Sequence, residues 1–154
     1  MDLFTVTVAV MGVCNRIMTY ASRIKSAEDD LLLQLKNQTR LLSDVLSALN
    51  DPSHVEIVQQ RIKSANDDGD GFESQYWNSL KESLTRCQDT LHKLEEYLKN
   101  ESKGIVERIL RCRLLAPVRL QSQREEITDY IHEIKFYREA ISIAIQFIAL
   151  YSVF

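Results

Sequence analysis

The chain has 154 residues, which is enough for one domain that buries roughly two-thirds of its unfolded surface without disulfides or a structural metal. Four Gly and two Pro against 45% apolar residues leave few of the tight turns that an all-β fold needs, so long helices are favoured. The net charge of -3 excludes little, but residues 26–75 carry ten acidic and four basic side chains, whereas residues 99–124 carry seven basic and two acidic ones.

The N-terminal segment is the most apolar part of the chain. Ten of its first fourteen residues are apolar, and no charge lies between Asp2 and Arg16. Side chains of this kind are hidden from water, either in protein or in lipid. Because the uncharged runs 3–15 and 140–154 are both shorter than the roughly 17 to 25 residues that span a bilayer, we expect each to be part of a buried helix.

Two helices are predicted in the first third of the chain. Residues 4–10 alternate with period two, as in a strand, but the apolar residues from Val10 onward recur at helical spacing, so one helix to about residue 25 is the simpler account. Ser26 is the expected N-cap of a second helix, which ends at the Asn-Asp-Pro sequence of 50–52. The apolar face of this second helix consists of Leu31, Leu32, Leu35, Leu42, Val45, Leu46 and Leu49.

The middle of the chain contains a short helix, a loop and a long helix. Ser53 and Glu56 form a capping-box pair before the short helix, and the loop is the NDDGDG sequence of 66–71. That loop begins like an EF-hand, but Trp77 stands where Ca²⁺ needs a bidentate Glu, so a solvated acidic turn is the better interpretation. The long helix has apolar residues at alternating steps of three and four, which are Trp77, Leu80, Leu84, Cys87, Leu91, Leu94 and Leu98.

The last third of the chain is predicted to hold one more long helix. Gly104 interrupts the preceding pattern, and 105–115 is expected to form a short basic helix or an ordered connection. Pro117 then opens or precedes the long helix, because proline fits the first turn of a helix and breaks its interior. We therefore expect an all-α fold over residues 1–154, a single helical bundle of four long helices plus one or two short helices. The apolar seam of the last helix is Ile127, Tyr130, Ile134, Tyr137, Ile141, Ala144, Ile148 and Tyr151.

The three cysteines favour free thiols in a reducing compartment. Cys14, Cys87 and Cys112 have no Cys-x-x-Cys spacing, and the N-terminus lacks the features of a secretory signal, so we expect an intracellular, cytoplasmic protein. Cys87 lies in the apolar seam and is expected to be a core residue. Cys112 lies between two arginines that would lower the pKa of its thiol, but no His or Asp near it in sequence completes a nucleophilic pair.

Patterns for catalysis and metal binding are weak. The pairs Asp89/His92 and Asp129/His132 have an Asp-x-x-His spacing, but the heptad register places all four residues on outward positions. No glycine loop for phosphate and no serine elbow occurs in the sequence. We therefore expect no enzyme, no catalytic or cofactor-binding residues, no metal ligands, no cofactor and no small-molecule substrate.

A basic stretch occupies the region between the last two long helices. Its simplest interpretation is a solvated face, and the alternative is attraction to anionic lipid, to which each basic residue contributes ~1 kcal/mol near the surface. A nucleic-acid partner is not expected, because aromatic residues are not interleaved with the basic ones. The residues of this basic stretch are Lys99, Lys103, Arg108, Arg111, Arg113, Arg119 and Arg124.

The opening MDLFTVTVAVMGV resembles the start of the N-terminal domain of fungal STAND proteins, the NOD-like receptors of filamentous fungi. That start commonly reads Met-Asp-Pro-Leu-Ser-x-x-Ala-x-x-x-Gly, whereas this chain has Leu3 in place of the proline and a single Gly12 where membrane-active members carry several small residues. The similarity continues through the apolar spacings of 41–49, 80–98 and 127–135, and so covers nearly the whole chain.

The resemblance implies a HeLo-like helical bundle of the kind that normally precedes a nucleotide-binding oligomerisation domain, so we expect either a domain of a longer chain or a short stand-alone relative. Related bundles act in programmed cell death and innate immunity: on oligomerisation they release the N-terminal helix, which inserts into the plasma membrane. A homo-oligomer and an anionic membrane are then the expected partners, and a soluble homotypic or adaptor bundle is the alternative. The residues expected to enter the membrane, here called the insertion segment, are Leu3, Phe4, Val6, Val8, Val10, Met11, Gly12 and Val13.

Overall fold

The computed structural model describes residues 2–23, 30–67, 72–103 and 105–152, and within them every regular element is a helix. The predicted all-α class is confirmed. Side chains are described except at 65–74, 100–123, 148–149 and 151–152. The five helices are α1 (Leu3–Arg23), α2 (Asp30–Leu49), α3 (Pro52–Asp67), α4 (Phe72–Lys103) and α5 (Ile105–Ser152).

Helix α1 packs as a core helix and not as an appendage. It makes extensive contacts with α4 and with α2, while α2 packs in turn on α5, and α5 on α4. Helix α3 makes weaker contacts with α4, α5 and α2. One continuous apolar core therefore includes side chains from all five helices. The residues of α1 that this packing buries are Leu3, Val6, Thr7, Val10, Val13, Cys14, Ile17 and Ala21.

The predicted seam of α4 is buried along its whole length, from Trp77 to Leu98. Steps of three and four place its residues on one side of the helix, and the neighbouring helices cover that side. The α5 seam is buried at Ile127, Ile134 and its later apolar positions up to Ala144, whereas its tyrosines at 130 and 137 are half-buried. A tyrosine at the edge of a core buries its ring and keeps its hydroxyl near water.

The start of α3 differs from the prediction. Asp51, not Ser53, is the N-cap: Asp51 Oδ1 accepts hydrogen bonds from the Ser53 backbone N–H at 3.0 Å and from the Ser53 hydroxyl at 2.6 Å. These bonds hold the pKa of the Asp51 carboxyl below its usual range. Pro52 occupies the first helical position, where its missing N–H costs nothing. The N-cap thus lies two residues before the one predicted from the capping box.

The region around Pro117 also differs from the prediction. Helix α5 begins at Ile105 and continues through Pro117, so that 105–115 is not a separate short helix. Proline removes one backbone hydrogen bond and kinks a helix, but its fixed φ is helical, so the chain is able to continue as a helix beyond it. The side chains of this part of α5 lie outside the described set.

Candidate functional site

The insertion segment lies in the first half of α1, where the structure separates its residues by exposure. Helical geometry turns one side of the segment towards α2 and α4 and leaves Val8 on the opposite side, with 55% of its surface exposed. At rest, one side of the insertion segment is therefore hidden in protein. Leu3, Val6, Val10 and Val13 are buried, and Phe4, Met11 and Gly12 are half-buried.

The polar groups of α1 are satisfied largely within the helix. Asp2 caps its start, because Asp2 Oδ1 accepts a 2.7 Å hydrogen bond from the Thr5 N–H. The buried Thr7 hydroxyl donates to the Leu3 carbonyl oxygen at 2.8 Å, and the Thr19 and Ser22 hydroxyls donate in the same way to carbonyls four residues earlier. Because these hydroxyls bond to the backbone of their own helix, the hydrogen bonds are kept when the surroundings of the helix change.

Helix α1 is longer than the uncharged run that suggested it. It has 21 residues and a length of about 31 Å, whereas the uncharged run ends at Asn15. By length and apolar composition alone, α1 is the helix in the described part of the chain that could cross a bilayer. Core helices of soluble proteins and secretory signal sequences have the same character, and 39% of the apolar window of α1 is buried in the bundle. The uncharged run 3–15 is by itself too short to span and lies in a core helix, as expected, but the whole of α1 is long enough.

An ion pair joins α1 to α4 at the end of the insertion segment. Arg16 Nε lies 2.6 Å from Glu95 Oε1, and Arg16 Nη2 lies 3.3 Å from Glu95 Oε2. His92 Nδ1 approaches Glu95 Oε2 at 3.5 Å. The hydrogen bond from Arg16 holds the pKa of the Glu95 carboxyl below its usual range. Sequence analysis missed this pair because the two residues are 79 positions apart and no local pattern connects them.

Two cysteines, one on α1 and one on α4, lie in the core where these helices pack. Cys14 and Cys87 are both free and fully buried, which confirms the prediction of a core role for Cys87. Burial raises the pKa of the Cys87 thiol well above its usual range, and the nearby Cys14 and Glu133 raise it further. Since the thiolate is the reactive form, the raised pKa and the burial of Cys87 both disfavour its reaction at neutral pH. The Cys112 side chain lies outside the described set.

The basic stretch is described only at its ends. Lys99 is half-buried near the end of α4, and Arg124 is exposed on α5. The other five side chains, at Lys103, Arg108, Arg111, Arg113 and Arg119, lie outside the described set. A cationic surface formed by these residues stays a prediction.

The residues considered for metal binding either are exposed or have a side chain that cannot bind a metal. Asp89, His92, Asp129 and His132 are all exposed, and no cluster of three or more potential ligands occurs among the described residues. Trp77, at the twelfth position of the EF-hand-like loop, is buried with its ring centroid 5.9 Å from that of Phe147. Positions 68–71 of that loop lie outside the described residues.

Neither a chelator nor a reductant is expected to change the melting temperature of this protein. The Asp-x-x-His pairs lie at exposed positions, which disfavours a metal site, and the cysteines have neither the number nor the spacing of a disulfide framework. The measurement is thermal unfolding by circular dichroism with and without EDTA or dithiothreitol. A clear drop in melting temperature with either reagent would overturn this prediction.

Sequence analysis also missed an outward apolar row on α5. Phe136, Ile143 and Leu150 are exposed and are separated by steps of seven, which places them along one side of the helix. The step of seven is visible in the sequence, but the stronger seam through Ile134 and Ile141 obscures it. This row is a surface on which a partner helix could pack.

Comparison of the chain with protein-family models, with curated proteins and with solved structures gave no match.

Proposed function

We propose that this chain is the N-terminal signalling and cell-death domain of a fungal NOD-like receptor, a HeLo-like bundle whose helix α1 is packed at rest and enters a membrane on oligomerisation. In this proposal α1, α2, α4 and α5 are the four long helices of the bundle, and α3 is its short helix. The observation that carries the proposal is that the chain's most apolar helix, long enough to span a bilayer, forms one side of the core.

The chemistry of α1 suits both environments. In hydrocarbon every backbone polar group must be satisfied within the spanning segment, hydroxyl groups need partners as well, and a charged side chain such as Arg16 must reach the interface. The hydroxyls of Thr7, Thr19 and Ser22 already bond to backbone carbonyls of α1 and would remain bonded after insertion. The buried apolar side of α1 is covered by protein at rest and would be covered by lipid after release, so the helix exchanges one apolar environment for another.

Release of α1 needs a driving force, because its departure uncovers the apolar sides of α2 and α4. Bringing several copies together supplies that force, because many copies of α1 then act on one area of membrane at a high effective concentration. In a longer chain, a nucleotide-binding domain downstream would perform this oligomerisation. The protein would be cytoplasmic at rest and recruited to the anionic plasma membrane by the basic stretch.

A second candidate function is a soluble homotypic or adaptor bundle in which α1 never leaves the core. The outward row of Phe136, Ile143 and Leu150 favours this alternative, because it offers an apolar helix face to another protein. The two functions differ in one respect that is readily measured, namely whether the oligomerised domain permeabilises lipid.

The Val8→Asp variant tests the proposal without damaging the core. Val8 is largely exposed, so an aspartate there should leave the resting fold intact but oppose membrane insertion by ~2.5 to 3.5 kcal/mol. We expect the wild-type domain, fused to an oligomeriser, to release dye from liposomes of phosphatidylserine and phosphatidylcholine, and Val8→Asp to reduce that release at least tenfold. Deletion of 1–20 is less informative, because it would remove most of the buried face of α1.

Leu33→Asp is the matched control, since Leu33 is equally exposed, at 53%, but lies on α2. It should leave dye release unchanged. Failure of the oligomerised wild type to bind or permeabilise these liposomes would favour the soluble adaptor. Equal loss of release in Val8→Asp and Leu33→Asp would show that α1 has no special role.

The basic stretch has a separate test. Arg111→Glu combined with Arg113→Glu should weaken binding to anionic liposomes, because each basic residue near the surface contributes ~1 kcal/mol and reversal adds repulsion. The measurement is co-sedimentation at low and at physiological salt. Arg40→Glu with Lys63→Glu, two exposed positions on α2 and α3, makes the same change in net charge and is the control. Equal binding by both double variants would exclude a specific role for the stretch.

A further inference from the structure

For α1 itself, the interactions that differ most between the packed and the inserted state are polar. Lipid tails are as apolar as leucine, so the burial of Val10, Val13 or Ile17 has similar value in the bundle and in a bilayer. Apolar packing therefore contributes little to the difference between the two states of α1 itself. A polar contact that exists only while α1 is packed contributes fully to the free-energy difference between packed and inserted α1. This holds even when the contact contributes little to the total free energy of folding.

Most polar side-chain contacts of α1 would survive its release, because both partners belong to α1. This holds for the Asp2 cap, for the hydroxyl bonds of Thr7, Thr19 and Ser22, and for Arg23 above the Tyr20 ring. Within the part of the chain that the structure describes, the Arg16–Glu95 pair is the polar side-chain contact that joins α1 to another helix. Release of α1 must break it.

The geometry of the pair is suited to holding α1. Both Arg16 and Glu95 use two atoms, and two-pronged contacts between arginine and a carboxylate are stronger than single ones. The exposure is asymmetric: the Arg16 side chain is 49% exposed, whereas the Glu95 side chain is only 13% exposed. Loss of Arg16 would therefore leave a largely covered carboxylate without its main partner, which costs more than the loss of a solvated ion pair.

We propose that Arg16 and Glu95 form an electrostatic latch that holds α1 on α4 and sets how readily the bundle releases it. This inference rests on the proposed release of α1. Arg16 is the first residue after the uncharged run 3–15, so the latch restrains α1 at the end of that run. Opening it frees α1 to leave with its own hydrogen bonds intact.

A charge-swap cycle tests the latch in solution, without lipid. In a Cys112→Ser chain, the reaction of Cys14 and Cys87 with a water-soluble maleimide reports the opening of the α1–α4 interface, because both thiols are buried there at rest. Arg16→Glu and Glu95→Arg should each raise the reaction rate about two- to tenfold, and the double swap should return it towards the wild-type rate. Arg40→Glu, whose wild-type side chain bonds within α2 to Asn37, is the matched control and should change nothing.

The outcomes for the latch and for the proposed function are separable. Unchanged reaction rates in both single variants, or no recovery in the double swap, would overturn the latch, even if the wild type permeabilises liposomes. Faster reaction with recovery would support the latch even if no variant permeabilises lipid, a result that would overturn the membrane function instead. Repeating the labelling at increasing urea below the unfolding transition separates the two routes to reaction. Local opening, as the latch requires, has a rate that hardly changes with urea, whereas global unfolding, which would overturn the latch, has a rate that rises steeply.

Discussion

Replacement of Leu91 by alanine is expected to lower the free energy of unfolding by about 2 to 5 kcal/mol. Leu91 is fully buried in the middle of the α4 seam, which packs against α1 and α5. The substitution removes apolar contacts and leaves a cavity that rigid helices on both sides cannot fill. Urea unfolding followed by circular dichroism measures the change, provided that the slope of the transition stays constant.

Leu33→Ala is the control for this prediction, because Leu33 is an exposed leucine on a helix of similar composition. Its effect should stay within about 0.5 kcal/mol of zero. A loss below about 1 kcal/mol for Leu91→Ala would mean that the α4 seam is not the centre of the core, and the assignment of the bundle would have to change.

Val10→Asp is expected to prevent stable folding, whereas Val8→Asp is not. The two valines are only two positions apart on α1, but Val10 is fully buried and Val8 is exposed. An unpaired carboxylate in the core costs roughly 3 to 5 kcal/mol or more, which is comparable with the whole stability of a domain of ~5 to 15 kcal/mol. Val8→Asp should shift stability by less than about 1 kcal/mol, because its side chain reaches water.

Far-UV circular dichroism and urea unfolding of the two variants check this contrast. A native-like Val10→Asp protein, or a Val8→Asp protein that fails to fold, would show that α1 does not pack through the side described here. The contrast also decides which variant suits membrane experiments, since only a variant that folds at rest reports on insertion.

Much of the fold could be predicted from the local periodicity of apolar residues. The steps of three and four in α4 identified its buried side because a helix covered by neighbours can bury only one continuous stripe. The same spacing after Val10 correctly outweighed the strand-like alternation of 4–10. The helical register places Val8 on the exposed side of α1, away from Val6 and Val10. The alternating sequence does not show this difference, because the three valines occupy equivalent positions in the period-two pattern.

The features that sequence reasoning missed depend on competing local signals or on distant partners. Asp51 and Ser53 are both good N-caps, and the choice between them depends on Pro52, which prefers the first helical position. The Arg16–Glu95 pair depends on how α1 lies against α4, which periodicity does not encode. A helix pattern shows which side is buried, but not which helix covers it.

The most direct test of the proposed release compares Cys87 and Cys14 before and after membrane binding. In chains that retain only one of these cysteines, a membrane-impermeant maleimide should label neither at rest, because both are buried between α1 and α4. After oligomerisation on phosphatidylserine liposomes, Cys87 should become reactive as α1 leaves α4, while Cys14, near the middle of α1, should stay protected by lipid. If both thiols remain unreactive on the liposomes, α1 has stayed in the core and the membrane function is contradicted.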